Sequence, residues 1–205
     1  RISITVHGKG GHASRPNECI DPVLVGAQIV VAVQSVISRS MDPLDCAVVS
    51  ICQFHAGEAS NVIPETAELH GTVRTFKPEV QDMVEKRLGQ IVRSVAEANG
   101  THAELSFQRG YPPTVNHAEQ TERAALAAAA VLGEGKVQRH APPRMGAEDF
   151  SYMLLARPGC FIGIGQGDGG RHSVSLHNPR FDFNDELIPL GASLFARLAE
   201  QEMPR

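Results

Sequence analysis

The chain has no tryptophan, and only 5% of its 205 residues are aromatic. Its formal net charge is −4, with acidic and basic residues interspersed. It therefore offers neither a base-stacking platform nor a basic stripe, and a nucleic-acid-binding surface is excluded. Cysteine is also scarce. Cys19, Cys46, Cys52 and Cys160 form no C-x-x-C pair and no zinc spacing, which predicts reduced thiols in a cytoplasmic protein. No apolar run reads as a membrane span and none as a secretory leader, so no membrane partner is expected. The chain holds no phosphate-binding P-loop, no G-x-S-x-G elbow and no H-E-x-x-H pair. Gly165-Gln166-Gly167-Asp168-Gly169-Gly170 matches G-x-G-x-x-G in letters alone. The Arg171-His172-Ser173-Val174-Ser175 that follows alternates like an extended segment, where a dinucleotide site needs the start of a helix.

What is present is a 42% hydrophobic share, enough for a core. The first stretch organises the rest. Ile2, Ile4 and Val6 alternate with Ser3, Thr5 and His7 as a strand does, and the chain then enters Gly8-Lys9-Gly10-Gly11 and presents His12 before Pro16. Glycines allow close backbone approach there, and a histidine on such a loop is a titratable donor. The same residues also suit a plain surface turn. Asp21 can cap a helix beginning at Pro22, and that helix, over residues 23–38, is apolar nearly all round, so a second face of it should be covered by another body. Strands follow at 46–55 and from Ala67 to Arg74, then a helix from Pro78 that ends at Asn99-Gly100, then a strand around Ala103, Leu105 and Phe107. The order βαββαβ predicts a ferredoxin-like sandwich, its two helices on one face of an antiparallel sheet.

Pro112-Pro113 reads as a linker. Beyond it the pattern predicts a helix capped by Asn116 and Glu119 and stopped by Gly133, a short strand at 137–140, a helix opened by Glu148-Asp149, a buried strand at 160–165, and a last helix over 185–202. Alternating helices and apolar strands form part of an α/β layer.

Three groups of residues carry chemistry. Asn61 in Ser60-Asn61-Val62-Ile63-Pro64 and Arg74 at the end of Gly71-Thr72-Val73-Arg74 offer an amide and a guanidinium; arginine can clamp a carboxylate through two hydrogen bonds, or make a surface ion pair. His177 in Leu176-His177-Asn178-Pro179 suits a metal or a structural role. Glu148-Asp149 suits a site or a helix cap.

Taken in order, Gly8-Lys9-Gly10-Gly11-His12-Ala13-Ser14, Asp21-Pro22, Ser60-Asn61-Val62-Ile63-Pro64, Gly71-Thr72-Val73-Arg74, Gly146-Ala147-Glu148-Asp149-Phe150 and Leu176-His177-Asn178-Pro179 resemble the metal-dependent aminoacylase and carboxypeptidase family, in its branch of hippuricases and indole-acetyl-amino-acid hydrolases. The resemblance covers nearly the whole chain. It implies a ferredoxin-like lid and dimerisation domain at residues 1–112, and at 113–205 the carboxy-terminal portion of an α/β di-metal hydrolase domain. It implies an enzyme that cleaves the amide of N-acyl amino acids or small peptides with metal-activated water. The cofactors would be divalent ions, two of Zn, Mn, Ni or Co, and the protein a homodimer joined through the lid. By the same resemblance His177 binds metal, His12 stabilises an oxyanion in the partner subunit's site, Asn61 and Arg74 hold the substrate, and Glu148 lies beside it. Asn17 stands where many relatives have histidine, and takes no role. The family's H-x-C-G-H-D segment and Glu-Glu pair are not among these residues. One histidine cannot replace them, so the 205-residue chain, which starts at Arg1 and reads as a piece of something longer, is expected to be inactive by itself. The alternative is a non-catalytic binding or dimerisation module derived from the family.

Overall fold

The computed structural model describes residues 1–167 and 169–203. The chain divides into two compact units, Arg1–Pro113 and Thr114–Arg205. In the first, the order is β1 (Ile2–His7), β2 (Gly11–His12), α1 (Pro22–Ala32), β3 (Ala47–Ala56), β4 (Val62–Ile63), β5 (Thr66–Thr75), α2 (Pro78–Ala98) and β6 (Ala103–Phe107). β3, β5, β1 and β6 form one antiparallel sheet in that spatial order. With the two long helices between strands, this is the ferredoxin-like arrangement read from the sequence.

The period-2 pattern decides which face is covered. Ile2, Ile4, Val6, Ala67, Leu69 and Val73 are buried together with Val25 and Ile29 of α1 and with Val80, Val84, Leu88 and Val92 of α2. Burying a side chain of this size stabilises by about 1.5–3 kcal/mol, so these positions fix both helices to one face. The opposite face holds Thr5, His7, Glu68, His70 and Glu104 and stays polar.

One irregularity in β3 has consequences. The pairing runs Ile51 with Gly71 and then Gln53 with His70, leaving Cys52 as an extra residue. The bulge shifts the alternation by one position. Val49 and Ile51 precede it on the core side, and Phe54, opposite Leu69, resumes that side against Gly26 of α1. At Gly71 a Cβ would come within 2.1 Å of the Ser50 carbonyl oxygen. Only glycine lets the bulged strand lie this close.

Asp21 caps α1, its carboxylate accepting hydrogen bonds from the N–H groups of Val23 at 2.9 Å and Leu24 at 3.4 Å. The helical segment runs on to Ser40. At 19 residues and mean hydropathy 1.5 it is long and apolar enough, by length and composition, to cross a membrane, which corrects the expectation that no segment is. Its inner residues Val25, Ile29, Val33 and Val36 are buried in the sheet's own core. Its outer residues Val23, Leu24 and Val31 are exposed, as an all-round apolar sequence requires.

The second unit contains α3 (Ala118–Leu132), α4 (Phe150–Ala156) and α5 (Leu187–Glu202). Arg123 of α3 reaches Glu202 of α5 as well as Glu119 on its own helix. Ala124, Ala127 and Leu194 are buried. The expected strands at 137–140 and 160–165 are absent among the described residues. Apolar alternation makes a strand only where another strand accepts its hydrogen bonds, and Phe161, Ile162 and Ile164 remain exposed. The expected Asn116 cap is also absent. His117 stands at the amino end of α3 with no side-chain cap, while Asn116 exchanges two hydrogen bonds of 2.8 Å with the main chain of Phe161.

Candidate functional site

The glycine loop after β1 is built for room. A Cβ on Gly8 would meet the Ile20 carbonyl oxygen and Pro22 at 2.6 Å, one on Gly10 the Ile63 carbonyl oxygen at 2.9 Å, and one on Gly11 the Cys19 sulfur at 2.6 Å. None of the three has a left-handed φ. What they supply is close approach, and it lets the loop lie against two neighbouring segments at once. On one side Lys9 and Ile20 exchange main-chain hydrogen bonds of 2.9 and 3.0 Å. On the other, β2 pairs with β4 in an antiparallel ribbon, His12 opposite Val62, and the Ala13 N–H donates to the Asn61 carbonyl oxygen at 3.0 Å.

That ribbon brings His12 and Asn61 together. Between the expected strands at 46–55 and from Ala67 to Arg74, the only hint of this ribbon in the sequence is the β-branched pair Val62-Ile63 before Pro64, too short to show a period. Both side chains are exposed. The His12 ring is oriented by its own loop: the Ser14 N–H donates to Nδ1 at 3.1 Å, and the Ser14 hydroxyl lies 2.8 Å from the same atom. A nitrogen that accepts a main-chain N–H carries no proton when the ring is neutral, so the proton sits on Nε2. The ring therefore offers an N–H donor outward. Beside it Lys9, Ser14, Arg15, Glu18 and Cys19 line a surface concavity of about 530 Å³.

Arg74 is not brought to this end of the unit. It lies eight residues beyond Thr66 along β5, about 26 Å at the rise of an extended strand. Its guanidinium donates to the Val73 carbonyl oxygen at 3.1 Å. Among the described residues it makes no ion pair, so the surface salt bridge left open above is not formed.

In the second unit Glu148 is half-buried just before α4. Its carbonyl oxygen accepts from the Ser151 N–H and hydroxyl, and no side chain caps that helix. His177 is exposed and has φ of 69°, the one positive value among the described non-glycine residues. A left-handed histidine is uncommon and costs backbone energy. Among the described residues its ring has no hydrogen-bond partner. By contrast His172 is tied down: its Nδ1 lies 3.2 Å from the Asp182 carbonyl oxygen, and Gln166 donates to its own carbonyl oxygen at 2.9 Å. An unpartnered imidazole suits a metal, and His177 fits as one ligand of a site that needs several.

A family model described as peptidase family M20/M25/M40 matches residues 4–201. The chain is 38% identical over 200 residues to an IAA-amino acid hydrolase of Arabidopsis thaliana, covering 95% of this chain and 45% of that protein. It is 33% identical over 197 residues to a hippurate hydrolase of Campylobacter jejuni, covering 96% and 50%. Among solved structures it is similar to a dinuclear metal-binding peptidase of the M20 family from Bacillus subtilis, with TM-score 0.69 and 31% identity over 97% of this chain and 48% of that one. The chain thus spans about half the length of the relatives it matches.

Proposed function

The chain belongs to peptidase family M20/M25/M40, and from that premise we propose that the full-length protein hydrolyses the amide bond of N-acyl amino acids or small peptides. The names of two relatives support the substrate class, since an IAA-amino acid and hippurate are both amino acids acylated on nitrogen. The dinuclear metal-binding relative supports a pair of metal ions, and the ions we propose for this protein are divalent, Zn, Mn, Ni or Co. Such a pair supplies water that is nucleophilic at neutral pH.

The residues of this chain then take distinct parts. His177 holds one metal, and its left-handed backbone is the cost of presenting that ring. Asn61, held beside His12, binds the substrate carbonyl in the same site as His12. Arg74, at the far end of β5 and without a carboxylate partner among the described residues, binds the carboxylate of the substrate in the other site of the dimer. Glu148 lies beside the substrate. His12 donates Nε2–H to the oxyanion of the tetrahedral intermediate in the partner subunit's site, within a homodimer joined through residues 1–112. Four cysteines free of disulfides are compatible with the cytoplasm as the compartment.

The observation that carries this reading is the His12–Ser14 hydrogen bond, which leaves the imidazole as a donor beside Asn61. Donors fixed in advance where negative charge develops typically contribute a hundredfold or more in rate. The test is release of glycine from hippurate, alongside other N-acyl amino acids. The protein at the full length of its relatives should release amino acid, and a chelator should abolish it. The 205-residue chain alone should not. Chelator-sensitive release by the short chain would overturn the assignment of the missing ligands to residues outside it. No release by the full-length protein from any N-acyl amino acid or dipeptide would overturn the hydrolase.

A further inference from the structure

At the end of β1, His7, His102 and Glu104 converge on the polar side of the sheet, and we propose that they form a binding site for a zinc-like divalent cation. No part of the proposed hydrolytic reading is needed for this.

The main chain builds the site before any metal arrives. The His7 N–H donates to the His102 carbonyl oxygen at 3.1 Å, and the Thr101 hydroxyl donates to the His7 carbonyl oxygen at 2.5 Å. The turn at 101–102 is thus fastened to the last residue of β1. Thr5 pairs with Glu104 across β6, and His7, two residues on from Thr5, shares its face of the sheet. The imidazoles of His7 and His102 stack with centroids 4.2 Å apart and planes 11° from parallel.

The ligand atoms of all three residues lie within 4.8 Å of one another. Two ligands on one tetrahedral zinc, with bonds of about 2.0–2.1 Å, sit roughly 3.3 Å apart. The site must therefore close by an ångström or so, and the His102 ring must tilt out of the stack. Both movable partners can do this. His102 and Glu104 are exposed, and among the described residues no hydrogen bond holds either side chain.

The fixed partner supplies the reason to close. His7 Nε2 is cut off from solvent and has no hydrogen-bond partner; the nearest carboxylate oxygen, on Glu104, is 3.9 Å away. A buried ring nitrogen left unpaired costs free energy, and a cation shared with Glu104 and His102 would satisfy it. Two imidazoles and one carboxylate suit zinc, which tolerates mixed nitrogen and oxygen ligands and leaves a fourth position for water. Bound there, the ion would pin the turn before β6 to the end of β1.

The experiment is titration of the 205-residue chain with zinc chloride, followed by calorimetry and by equilibrium dialysis. The His177→Ala chain serves as background, so that the other candidate ligand is removed. One equivalent of zinc should bind, and His102→Ala or Glu104→Gln should each weaken it by about tenfold or more. Both substitutions are at exposed positions, and the melting temperature in chelator should not change. With zinc added, the parent should melt higher and the two variants should not. Zinc binding unchanged by both substitutions would place the ion elsewhere and overturn the proposal. No saturable zinc binding at all would overturn it too, leaving His7 and Glu104 as neighbours 3.9 Å apart with no ion between them.

Discussion

The Ser14 main-chain N–H and His12 Nδ1 lie 3.1 Å apart, and that bond decides which end of the imidazole faces outward. The donor belongs to the backbone, so it survives a change of side chain. Nitrogen NMR of the neutral protein should show His12 as the Nε2–H tautomer, both in the parent and in Ser14→Ala. The opposite tautomer would remove the donor that the proposed oxyanion role requires.

Gly71 sits opposite Ile51, at the edge of the Cys52 bulge. Alanine there would press its Cβ against the Ser50 carbonyl oxygen at 2.1 Å. Neither partner is a flexible side chain, so two paired strands must move apart. Gly71→Ala should cost about 2 kcal/mol or more in denaturant unfolding. Gly110→Ala, with nothing within 4 Å, is the control and should stay near the parent. Equal stability of the two variants would show that β3 yields easily at the bulge.

The contrast between these regions explains what the sequence could tell. Ile2, Ile4 and Val6 on β1 and Val80, Val84 and Leu88 on α2 repeat at the period of their element and all point to one core, so the order and layers of the first unit were legible. The bulge at Cys52 was not, because one extra residue in a β-branched run leaves the composition unchanged. The β2–β4 ribbon was missed because two residues are too few to show a period. In the second unit Phe161, Ile162 and Ile164 carry a strand-like pattern with no strand beside them among the described residues, and pattern alone does not reveal whether a partner exists. His12, Asn61 and His177 stood out through motifs and resemblance. The Ser14 contact and the left-handed backbone at His177 are facts of geometry that no residue type announces.

The outer face of α1 leads to a prediction about assembly. Val31 is 74% exposed and Leu24 54% exposed, beside a sheet whose β3 is an edge strand. A two-fold contact would bury these apolar residues. Sedimentation velocity at micromolar concentration should show a dimer, and Val31→Lys should shift it towards monomer without changing the far-ultraviolet circular dichroism. A parent that sediments only as monomer would contradict assembly through this face.

His177 and His172 lie close in sequence and should behave differently. His172 is held by Asp182 and Gln166, whereas His177 is exposed in a left-handed conformation. In the full-length protein His177→Ala should lower the bound metal, measured by elemental analysis after dialysis, and abolish hydrolysis. His172→Ala should keep the metal and lose only stability. Equal metal content in the parent and His177→Ala would remove His177 from the ligand set.

His12 gives the sharpest test, because its proposed role spans two subunits. It is a donor rather than a ligand, so His12→Ala in the full-length protein should lower kcat by about a hundredfold and leave metal content unchanged. The substrate's KM should change little, since the donor acts on charge that forms only in the transition state. Mixing the His12→Ala and His177→Ala proteins then separates action within a subunit from action across the dimer. If His12 reaches the partner's site, a mixed dimer holds one site with both histidines intact and one with neither. Random exchange makes half of the dimers mixed, so activity should return to roughly a quarter of the parent's per site. If His12 serves its own subunit, every site in the mixture lacks one histidine and nothing returns. Native mass spectrometry can confirm that exchange has taken place. An inactive mixture containing verified mixed dimers would rule out action in trans.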